Sequence, residues 1–576
     1  MQWVPALSWL KTYRADDGVA DLTAGTITAI LLVPQAMAYA QLAGLPPEVG
    51  LYSSIVPIFL YAAFGTSTTL AVGPVAVAAL MVASALEPLA APGSVAYIAG
   101  AVFLAAASGL ILLTMGVARL GAAANLLSHP VMSGFTSAAA IVIAFSQVKY
   151  FLGLDLPSGL RLDQLLLTVV TQMDAINATT LILGLISVGL LWFFRNHLAR
   201  LLQKAGVAAK IAQIMARLGP LVLVGVLTAI SGDMNLEAAR DVAVVGTIPQ
   251  GLPAIALPNL AFFQDLIGAA FLIALVGFVE SVAVAKALAA RRREKIDINQ
   301  ELVGLGLANI GAGFTAGAPV CGGFARSVVN FEAGARTQMA AIVTALIILV
   351  TVLAFTSLFY HLPQAVLSAI IVVSVLTLVD FSVLKRCWTY DKTDAVSWLA
   401  TFAAVLALGV ELGILSGIVI SVGLFLWRTA RPHVAIVGRV RDTQQFRNTA
   451  RHNVDTAPHL IAIRIDESLY FANASHLERT ILDAVADNVD VTDILLIFSA
   501  VNALDGSALE TLEALHDELR EGGVKLSLAE IKGPVMDKLE RTGFPDHVGR
   551  ENIYLSTHRA FQVLVDERRT DMEYHI

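Results

Sequence analysis

The feature that most constrains this chain is a series of apolar stretches between residues 22 and 428, most of them long enough to cross a lipid bilayer. A membrane-spanning helix needs about 20 largely apolar residues. Only 14% of the 576 residues are charged, whereas soluble domains carry about 25%. We therefore predict a polytopic α-helical membrane protein with about 14 transmembrane helices, of which the stretch 322–335 is too short to cross alone. The predicted spans are 22–42, 46–64, 69–88, 97–116, 127–148, 177–194, 216–231, 262–286, 301–316, 322–335, 338–359, 363–379, 394–410 and 412–428.

The basic residues between the spans indicate the orientation of the chain. Cytoplasmic loops of membrane proteins carry an excess of Lys and Arg. The loops after even-numbered spans contain Arg195, Arg200, Lys204, Lys210, Arg217, Lys286, Arg291, Arg292, Arg293, Lys295, Lys385, Arg386, Lys392, Arg428 and Arg431. We therefore expect both termini in the cytoplasm. The expected location is the plasma membrane, which in a bacterium is the inner membrane.

The composition changes at about Pro432, beyond which no apolar run is long enough to cross a membrane. Strand-length apolar runs alternate there with helical patterns, as is typical of a small α/β domain. The strand runs are 460–465, 494–498 and 525–528, and the helical patterns are 474–486, 507–519 and 534–541. The sequence thus divides into an N-terminal cytoplasmic segment (1–21), a transmembrane domain (22–430) and a cytoplasmic domain (431–576).

Two segments marked by glycine and proline interrupt the apolar pattern, at 71–77 and at 318–326, where the third and tenth spans open. Such segments predict half-helices that start inside the membrane, with unpaired N–H groups and the positive end of the helix dipole at their tips. Broken helices at corresponding positions of two halves point to the binding site of a secondary transporter. Two such tips at one place would bind an anion. The alternative is that both segments are kinks in ordinary spans.

Two charged residues within the predicted spans are candidates for function, Arg326 at the start of the tenth span and Glu280 inside the eighth. Ionisable residues in a membrane segment are costly and indicate function by default. Arg326 would add positive potential to an anion site, or it would reach to the membrane interface. Glu280 would be a proton-coupling group, or a structural partner of Arg326 that never titrates.

Several motifs are absent from the sequence, and their absence narrows the function. No Gly-x-x-x-x-Gly-Lys-Ser/Thr motif is present, so the sequence offers no sign of nucleotide hydrolysis. The two cysteines, Cys321 and Cys387, are far apart, and no His/Cys cluster has metal-ligand spacing. We expect no enzyme activity, no cofactor, no metal and no nucleic acid partner, and we expect transport to be driven by an ion gradient or by the substrate's own gradient.

Seven segments of the sequence resemble the sulfate permease family, whose animal relatives include prestin and pendrin. The matching segments are 33–40, 42–47, 50–54, 71–76, 295–302, 306–311 and 324–330. The resemblance implies fourteen spans in a 7+7 inverted repeat with core and gate domains, and a homodimer. It places the substrate between the starts of spans 3 and 10.

The resemblance also implies a set of site residues. The substrate-binding positions are Gln35, Tyr39, Val75, Ala76, Ala325 and Arg326. The family usually has Ser at the position of Ala325, which would alter the substrate preference. Glu280 together with Arg326 is similar to the proton-coupled members of the family, so Glu280 is the expected ion-coupling residue.

The C-terminal region resembles a STAS domain, the fold shared with anti-sigma factor antagonists. Asp505 and Ser507 fall where that fold has its Asp-Ser-Ser/Thr-Gly loop, and Ser507 matches the serine that is phosphorylated in the antagonists. Gly506 and Ala508 depart from the loop pattern. Asp505 and Ser507 are therefore candidates for regulation, with a cytoplasmic protein as the expected partner of the STAS domain. The plain alternative for Asp505 is a helix N-cap.

We expect a proton-coupled symporter of small anions that works by an elevator movement of the core against the gate. Sulfate is the first expected substrate, followed by bicarbonate or a C4-dicarboxylate. An anion channel, or a voltage-responsive motor like prestin, is the alternative of another class. A nucleobase transporter of the same architecture is a further alternative, although it would be expected to hold its substrate with acidic and amide groups rather than with Arg326.

Overall fold

A computed structural model describes residues 4–122, 128–154 and 162–573. The chain forms two compact units, 1–421 and 422–576. The helices up to and including the one that runs across this division are α1 (Ala6–Lys11), α2 (Ala15–Leu42), α3 (Pro47–Tyr52), α4 (Val56–Phe64), α5 (Ala76–Leu86), α6 (Val95–Val117), α7 (His129–Ser146), α8 (Val148–Leu152), α9 (Leu162–Thr171), α10 (Ala178–Phe193), α11 (Ala199–Lys204), α12 (Ala209–Arg217), α13 (Gly219–Asp233), α14 (Leu236–Arg240), α15 (Phe263–Arg292), α16 (Ile298–Phe314), α17 (Phe324–Ala333), α18 (Met339–Val350), α19 (Gln364–Val375), α20 (Phe381–Tyr390), α21 (Lys392–Leu408) and α22 (Val410–Thr429). Two short strands, β1 (Val72–Gly73) and β2 (Cys321–Gly322), lie in the first unit.

The fold of a polytopic helical membrane protein is confirmed. Each of the fourteen predicted spans contains a helix, and the first residue of the predicted fifth span, residue 127, lies outside the described residues. Among the described residues, nine helical segments are long and apolar enough to cross a membrane, and α5 and α13 are shorter apolar helices. The predicted short tenth span is α17, a helix of 10 residues.

Close helix contacts in the first unit depend on small residues. Helix α6 packs along α16, and a Cβ atom at Gly109 of α6 would lie 2.5 Å from the backbone nitrogen of Ile310. A side chain does not fit at that distance, so Gly109 allows the two backbones to touch, as small residues do between membrane helices. Helix α2 packs against α18 and α17, which brings the first predicted span beside the tenth and eleventh.

The predicted spans do not include the helices α1, α9, α11, α12, α14 and α20. Helix α20 is 10 residues long and has its apolar residues on one side and its charged residues on the other. A search for long uniformly apolar runs misses such helices, because only the periodicity of their apolar residues reveals them.

The second unit is an α/β domain, as the sequence predicts. Its six-stranded sheet has the order β4-β3-β5-β6-β7-β8. Strands β5 to β8 are parallel, whereas β3 is antiparallel to both of its neighbours. The elements are β3 (Val434–Arg439), β4 (Phe446–Asn448), β5 (Leu460–Ile465), α23 (Ala474–Ala486), β6 (Asp493–Ile497), α24 (Gly506–Glu521), β7 (Lys525–Ala529), α25 (Gly533–Thr542), α26 (Phe544–Val548), β8 (Ile553–Tyr554) and α27 (Thr557–Glu573).

Both faces of this sheet are covered by apolar side chains. On one face, residues of α23, α24, α25 and α26 form a core with Ile463 and Leu496 of the sheet. On the other face, Phe561 of α27 packs with Ala462 and Leu495. Strands that are buried on both sides explain why the parallel strands are continuous apolar runs in the sequence.

Candidate functional site

The two interrupted segments meet as a two-residue antiparallel ladder. Val72 of β1 pairs with Gly322 of β2, and Gly73 pairs with Cys321. Helix α5 begins three residues after β1, and α17 begins two residues after β2. The starts of two half-helices are therefore held next to each other by backbone pairing.

Side chains of α17 supply hydrogen bonds to the non-helical backbone of the first segment. The N–H of Ala71 donates to Oγ of Ser327 over 2.9 Å, and Nδ2 of Asn330 donates to the carbonyl oxygen of Thr69 over 3.1 Å. Irregular backbone is tolerated at membrane depth only where its polar groups find partners within the protein. Ser327 and Asn330 thus stabilise the interruption before α5.

The second segment is held in the same way by residues of α15 and α16 and by one residue in the turn after α3. Asn309 of α16 brackets Val320, donating from Nδ2 to its carbonyl oxygen and accepting from its N–H, each over 2.8 Å. Oγ of Ser281 accepts from the N–H of Gly322 over 2.7 Å, and Oγ of Ser53 accepts from the N–H of Ala318 over 2.8 Å. Asn309, Ser281 and Ser53 were not among the predicted site residues, although a single polar residue inside an apolar run is a signal that could have indicated them.

Neither half-helix begins with a capping side chain. Val75 is the N-cap of α5 and Gly323 is the N-cap of α17, and neither provides a side-chain acceptor for the first turn. The first N–H groups of a helix have no partner within the helix. They are therefore available to a ligand, and their partial positive charge favours an anion.

Arg326 lies in the first turn of α17 and is only 3% exposed. Its Nη1 donates to the carbonyl oxygen of Pro74 over 2.5 Å. Nε and Nη2 are buried and have no hydrogen-bond partner among the described residues. A buried charge without a counter-charge is costly, so the two remaining donors mark a place where an anion would be stabilised.

Two glycines give the guanidinium of Arg326 its space. A Cβ atom at Gly323 would lie 2.8 Å from Nη2 of Arg326, and a Cβ atom at Gly73 would lie 3.3 Å from the same nitrogen. The first distance is shorter than van der Waals contact, so any larger residue at Gly323 displaces the guanidinium. The glycines of both interrupted segments therefore position Arg326 as well as shaping the backbone.

Glu280 lies in α15 and is half-buried. It forms no hydrogen bond and no ion pair with Arg326 in the part of the chain that the structure describes. Glu280 is nevertheless close enough to Arg326 for the two charges to interact. The carboxylate of Glu280 therefore does not form an ion pair with Arg326, but the two groups are near enough to influence each other's charge.

The remaining predicted site residues occupy different surroundings. Tyr39 and Val75 line a small cavity of about 10 Å³ together with Pro74 and Pro319, which is the space of about one water molecule. Ala76 is buried in the first turn of α5. Ala325 is exposed and is not among the residues that line this cavity.

Gln35 lies in α2, one turn before Tyr39. It is half-buried, and its Oε1 has no hydrogen-bond partner among the described residues. An amide oxygen in this state would accept a hydrogen bond from a protonated or hydrated ligand. Gln35 thus joins Tyr39 on the helix that faces α5 and α17.

In the second unit, Asp505 has the geometry of a helix N-cap. Its Oδ1 accepts from the N–H of Ala508 in the first turn of α24, and its Oδ2 accepts from the N–H of Phe471, each over 2.9 Å. Ser507 follows in that turn and is exposed. The carboxylate of Asp505 is thus engaged in local structure, while the hydroxyl of Ser507 is accessible.

Comparison with known proteins identifies both regions. The model of the sulfate permease family matches residues 19–401, and the model of the STAS domain matches residues 451–560. Sulfate transporter 4.1, chloroplastic, of Arabidopsis thaliana is 35% identical to the chain, and the match covers 97% of the chain and 82% of that protein. A probable sulfate transporter of Mycobacterium tuberculosis is 32% identical over 97% of the chain and 98% of its own length.

A solved structure has the same fold. It is that of the murine solute carrier 26 family member A9, described as an anion transporter in the inward-facing state. The two structures superpose with a TM-score of 0.87 at 25% sequence identity, covering 97% of this chain and 94% of the murine chain.

Proposed function

Because the chain belongs to the sulfate permease family of membrane anion transporters, we propose that it carries sulfate across the bilayer in symport with protons. It is a transporter and not an enzyme. Relatives that are named sulfate transporters match over nearly the whole chain, which supports sulfate ahead of bicarbonate or a C4-dicarboxylate. All of these anions share one or more oxygen atoms with negative charge, the group that the proposed site recognises.

The observation that carries the proposal is the state of Arg326. Its guanidinium is buried, is anchored by one hydrogen bond to Pro74 and keeps Nε and Nη2 without partners among the described residues. The uncapped starts of α5 and α17 lie beside it. An oxyanion placed there would accept charge-assisted hydrogen bonds, which contribute about 1.5–3 kcal/mol each, and would neutralise the buried cation. Val75, Ala76 and Ala325 would offer backbone N–H groups, and Gln35 and Tyr39 would close the site from α2.

Proton coupling rests on Glu280. Its carboxyl group has no hydrogen-bond partner in the described part of the chain and lies within electrostatic reach of Arg326. A carboxylate near the anion would repel it, and protonation removes that repulsion. Binding of the anion and binding of the proton would therefore favour each other, which is the requirement for symport.

The transport step would be an elevator movement. The ladder between β1 and β2 joins the two half-helices, so the site would move as part of one rigid core against the gate. We further propose a homodimer in the plasma membrane with both termini in the cytoplasm. The domain bounds would be 1–21, 22–430 and 431–576, and the STAS domain would bind a cytoplasmic partner, with Asp505 and Ser507 at the regulated loop.

Uptake of radiolabelled sulfate into proteoliposomes tests the proposal. An inward-directed proton gradient should drive sulfate above its equilibrium concentration, and dissipating the gradient with a protonophore should release it. Excess unlabelled bicarbonate and succinate rank the substrates by competition. Sulfate uptake that does not depend on the proton gradient would exclude symport. Single-molecule currents larger than the turnover rate of a carrier would show that the protein is a channel. Absence of binding and uptake for all three anions would overturn the proposed substrate class.

A further inference from the structure

The second unit contains a cluster of three potential metal ligands that the sequence did not reveal. His516 and Asp517 lie near the end of α24, and His547 lies in α26. One ligand atom from each of these residues lies within 4.8 Å of the other two. Strand β7 and helix α25 separate α24 from α26 along the chain, so no short sequence motif joins the three residues.

We propose that His516, Asp517 and His547 bind one divalent transition-metal ion of the zinc class. Two imidazoles and one carboxylate are a common ligand set for zinc, with a fourth position left for water or another ligand. Zinc lies about 2.0–2.1 Å from nitrogen or oxygen ligands, which places ligand atoms of a tetrahedral site about 3.4 Å apart. Oδ1 of Asp517 and Nε2 of His547 are already 3.2 Å apart.

His516 provides an independent indication that a ligand belongs at this place. Its side chain is 7% exposed, and its Nδ1 is buried without a hydrogen-bond partner among the described residues. Buried polar atoms normally have partners, so an exception calls for an explanation.

The fold brings His547 to the cluster through a tight turn. Helix α25 ends at Thr542, the next residue, Gly543, has a φ of +73°, and α26 starts directly after it. The rings of His516 and His547 are 5.1 Å apart between centroids and lie edge to face. Phe544 and Val548 anchor α26 in the core next to α24, so the backbone that carries His547 is fixed while the His547 side chain retains freedom at the surface.

Arg520 competes with the metal for Asp517. Its Nη2 lies 3.1 Å from Oδ1 of Asp517, and its side chain is 64% exposed. An exposed pair of this kind contributes little stability, so the arginine can leave the carboxylate when a metal ion arrives. Removal of Arg520 should therefore improve metal binding, which a merely structural role of the cluster does not require.

Zinc chloride titrated into the full-length protein tests the proposal. The protein is purified without a polyhistidine tag, stripped with a chelator and kept in detergent, and binding is measured by calorimetry. The wild-type protein should bind one Zn²⁺ per chain at this site, and Co²⁺ should give visible absorption bands. Mutation of a residue that only hydrogen-bonds a metal ligand typically lowers metal affinity by about 10–100-fold. Loss of a ligand itself, in His547→Gln or Asp517→Asn, should therefore weaken zinc binding by at least about tenfold.

His433→Gln is the matched control, because His433 pairs with Asp466 at 2.8 Å in the same unit without a third ligand. Its zinc affinity should equal that of the wild type, whereas Arg520→Gln should bind zinc more tightly. The ligands that carry the test, Asp517 and His547, are partly exposed, so their variants are expected to fold. Absence of zinc binding, or wild-type affinity in His547→Gln, would overturn the site. Wild-type zinc affinity in Asp517→Asn would overturn the proposed ligand set.

Discussion

Nη1 of Arg326 donates a hydrogen bond of 2.5 Å to the carbonyl oxygen of Pro74, which lies 252 residues earlier in the chain. This bond fixes the guanidinium between the two interrupted segments. It uses one of the nitrogens and leaves Nε and Nη2 without partners among the described residues. The contact therefore positions a cation without neutralising it.

Substitution of Arg326 should weaken anion binding. Arg326→Ala removes the charge and two free donors, and charge-assisted hydrogen bonds of about 1.5–3 kcal/mol correspond to at least about a tenfold loss in sulfate affinity. Binding is measured by calorimetry on purified protein. Arg336→Ala is the control, because Arg336 is a partly exposed arginine that pairs with Asp17 at 2.8 Å. Equal sulfate affinity in both variants would place Arg326 outside the site.

A methyl group at Gly323 should act through Arg326. Gly323→Ala would place a Cβ atom 2.8 Å from Nη2, whereas at Gly73 the distance is 3.3 Å. We expect both variants to lose sulfate affinity, and Gly73→Ala would in addition strain the backbone, because Gly73 has a φ of +156°. Gly268→Ala in α15 meets no atom within 4 Å and should bind sulfate normally. If Gly323→Ala and Gly268→Ala bind sulfate alike, the guanidinium is not held as described.

Loss of the Asn309 side chain should destabilise the first unit. Asn309→Leu keeps a similar volume but leaves the buried N–H and carbonyl groups of Val320 without their partners, at a cost of about 1–3 kcal/mol for each group. Thermal unfolding in detergent should therefore occur at a clearly lower temperature. Thr315→Val is the control, because the carbonyl oxygen of Gly311 still accepts a hydrogen bond from the N–H of residue 315. Its unfolding temperature should be nearly unchanged. Equal unfolding temperatures for the two variants would contradict the role of Asn309 as hydrogen-bond partner of Val320.

Glu280→Gln should separate binding from proton coupling. The amide keeps the shape of the carboxyl group but cannot release or take up a proton. Sulfate binding should persist, whereas the acceleration of uptake by an inward proton gradient should disappear in proteoliposomes. Glu87→Gln, which alters another half-buried acid next to α5, should retain the acceleration. Full proton dependence in Glu280→Gln would end the coupling role.

The stability of the sheet in the second unit should depend on pH through Asp466. Hydrogen bonds from Arg464 at 2.5 and 3.0 Å and the contact with His433 lower the pKa of Asp466. Its contribution is complete above the unfolded pKa of about 3.9 and is lost as the pH falls through the lower folded value. In Asp466→Asn, the amide hydrogens of β5 should therefore exchange faster at pH 7. The increase should correspond to a loss of about 1 kcal/mol or less in the free energy of opening. The difference from the wild type should close only below about pH 4, and a constant difference down to pH 3 would contradict the assignment.

The apolar length of the spans was sufficient to predict fourteen segments that each contain a helix, because a helix in contact with lipid needs a long apolar run. The same holds for β5, β6 and β7, which are apolar runs covered on both faces. Strands β3, β4 and β8 were missed, since they lie towards the edges of the sheet and are short or mixed in character.

The candidate site was only partly predictable. Glycine and proline marked both interruptions, since those residues break helices locally. The ladder between Val72 and Gly322 left no local signal, because its strands are two residues long and pair across the two halves of the unit. For the same reason the partners Ser327 and Asn309 were missed: they stabilise backbone that is distant in sequence, and a hydrogen bond over such a separation has no periodicity.

The ladder also limits where a larger anion would find room. Spreading the starts of α5 and α17 apart would break the backbone pairing of β1 with β2 and the hydrogen bonds that Ser281 and Asn309 make to Gly322 and Val320. Space would instead have to open towards Tyr39 and Val49 on the opposite wall of the small cavity. The two half-helices would stay in place during substrate binding. The helices that face them would determine whether sulfate or a longer dicarboxylate fits.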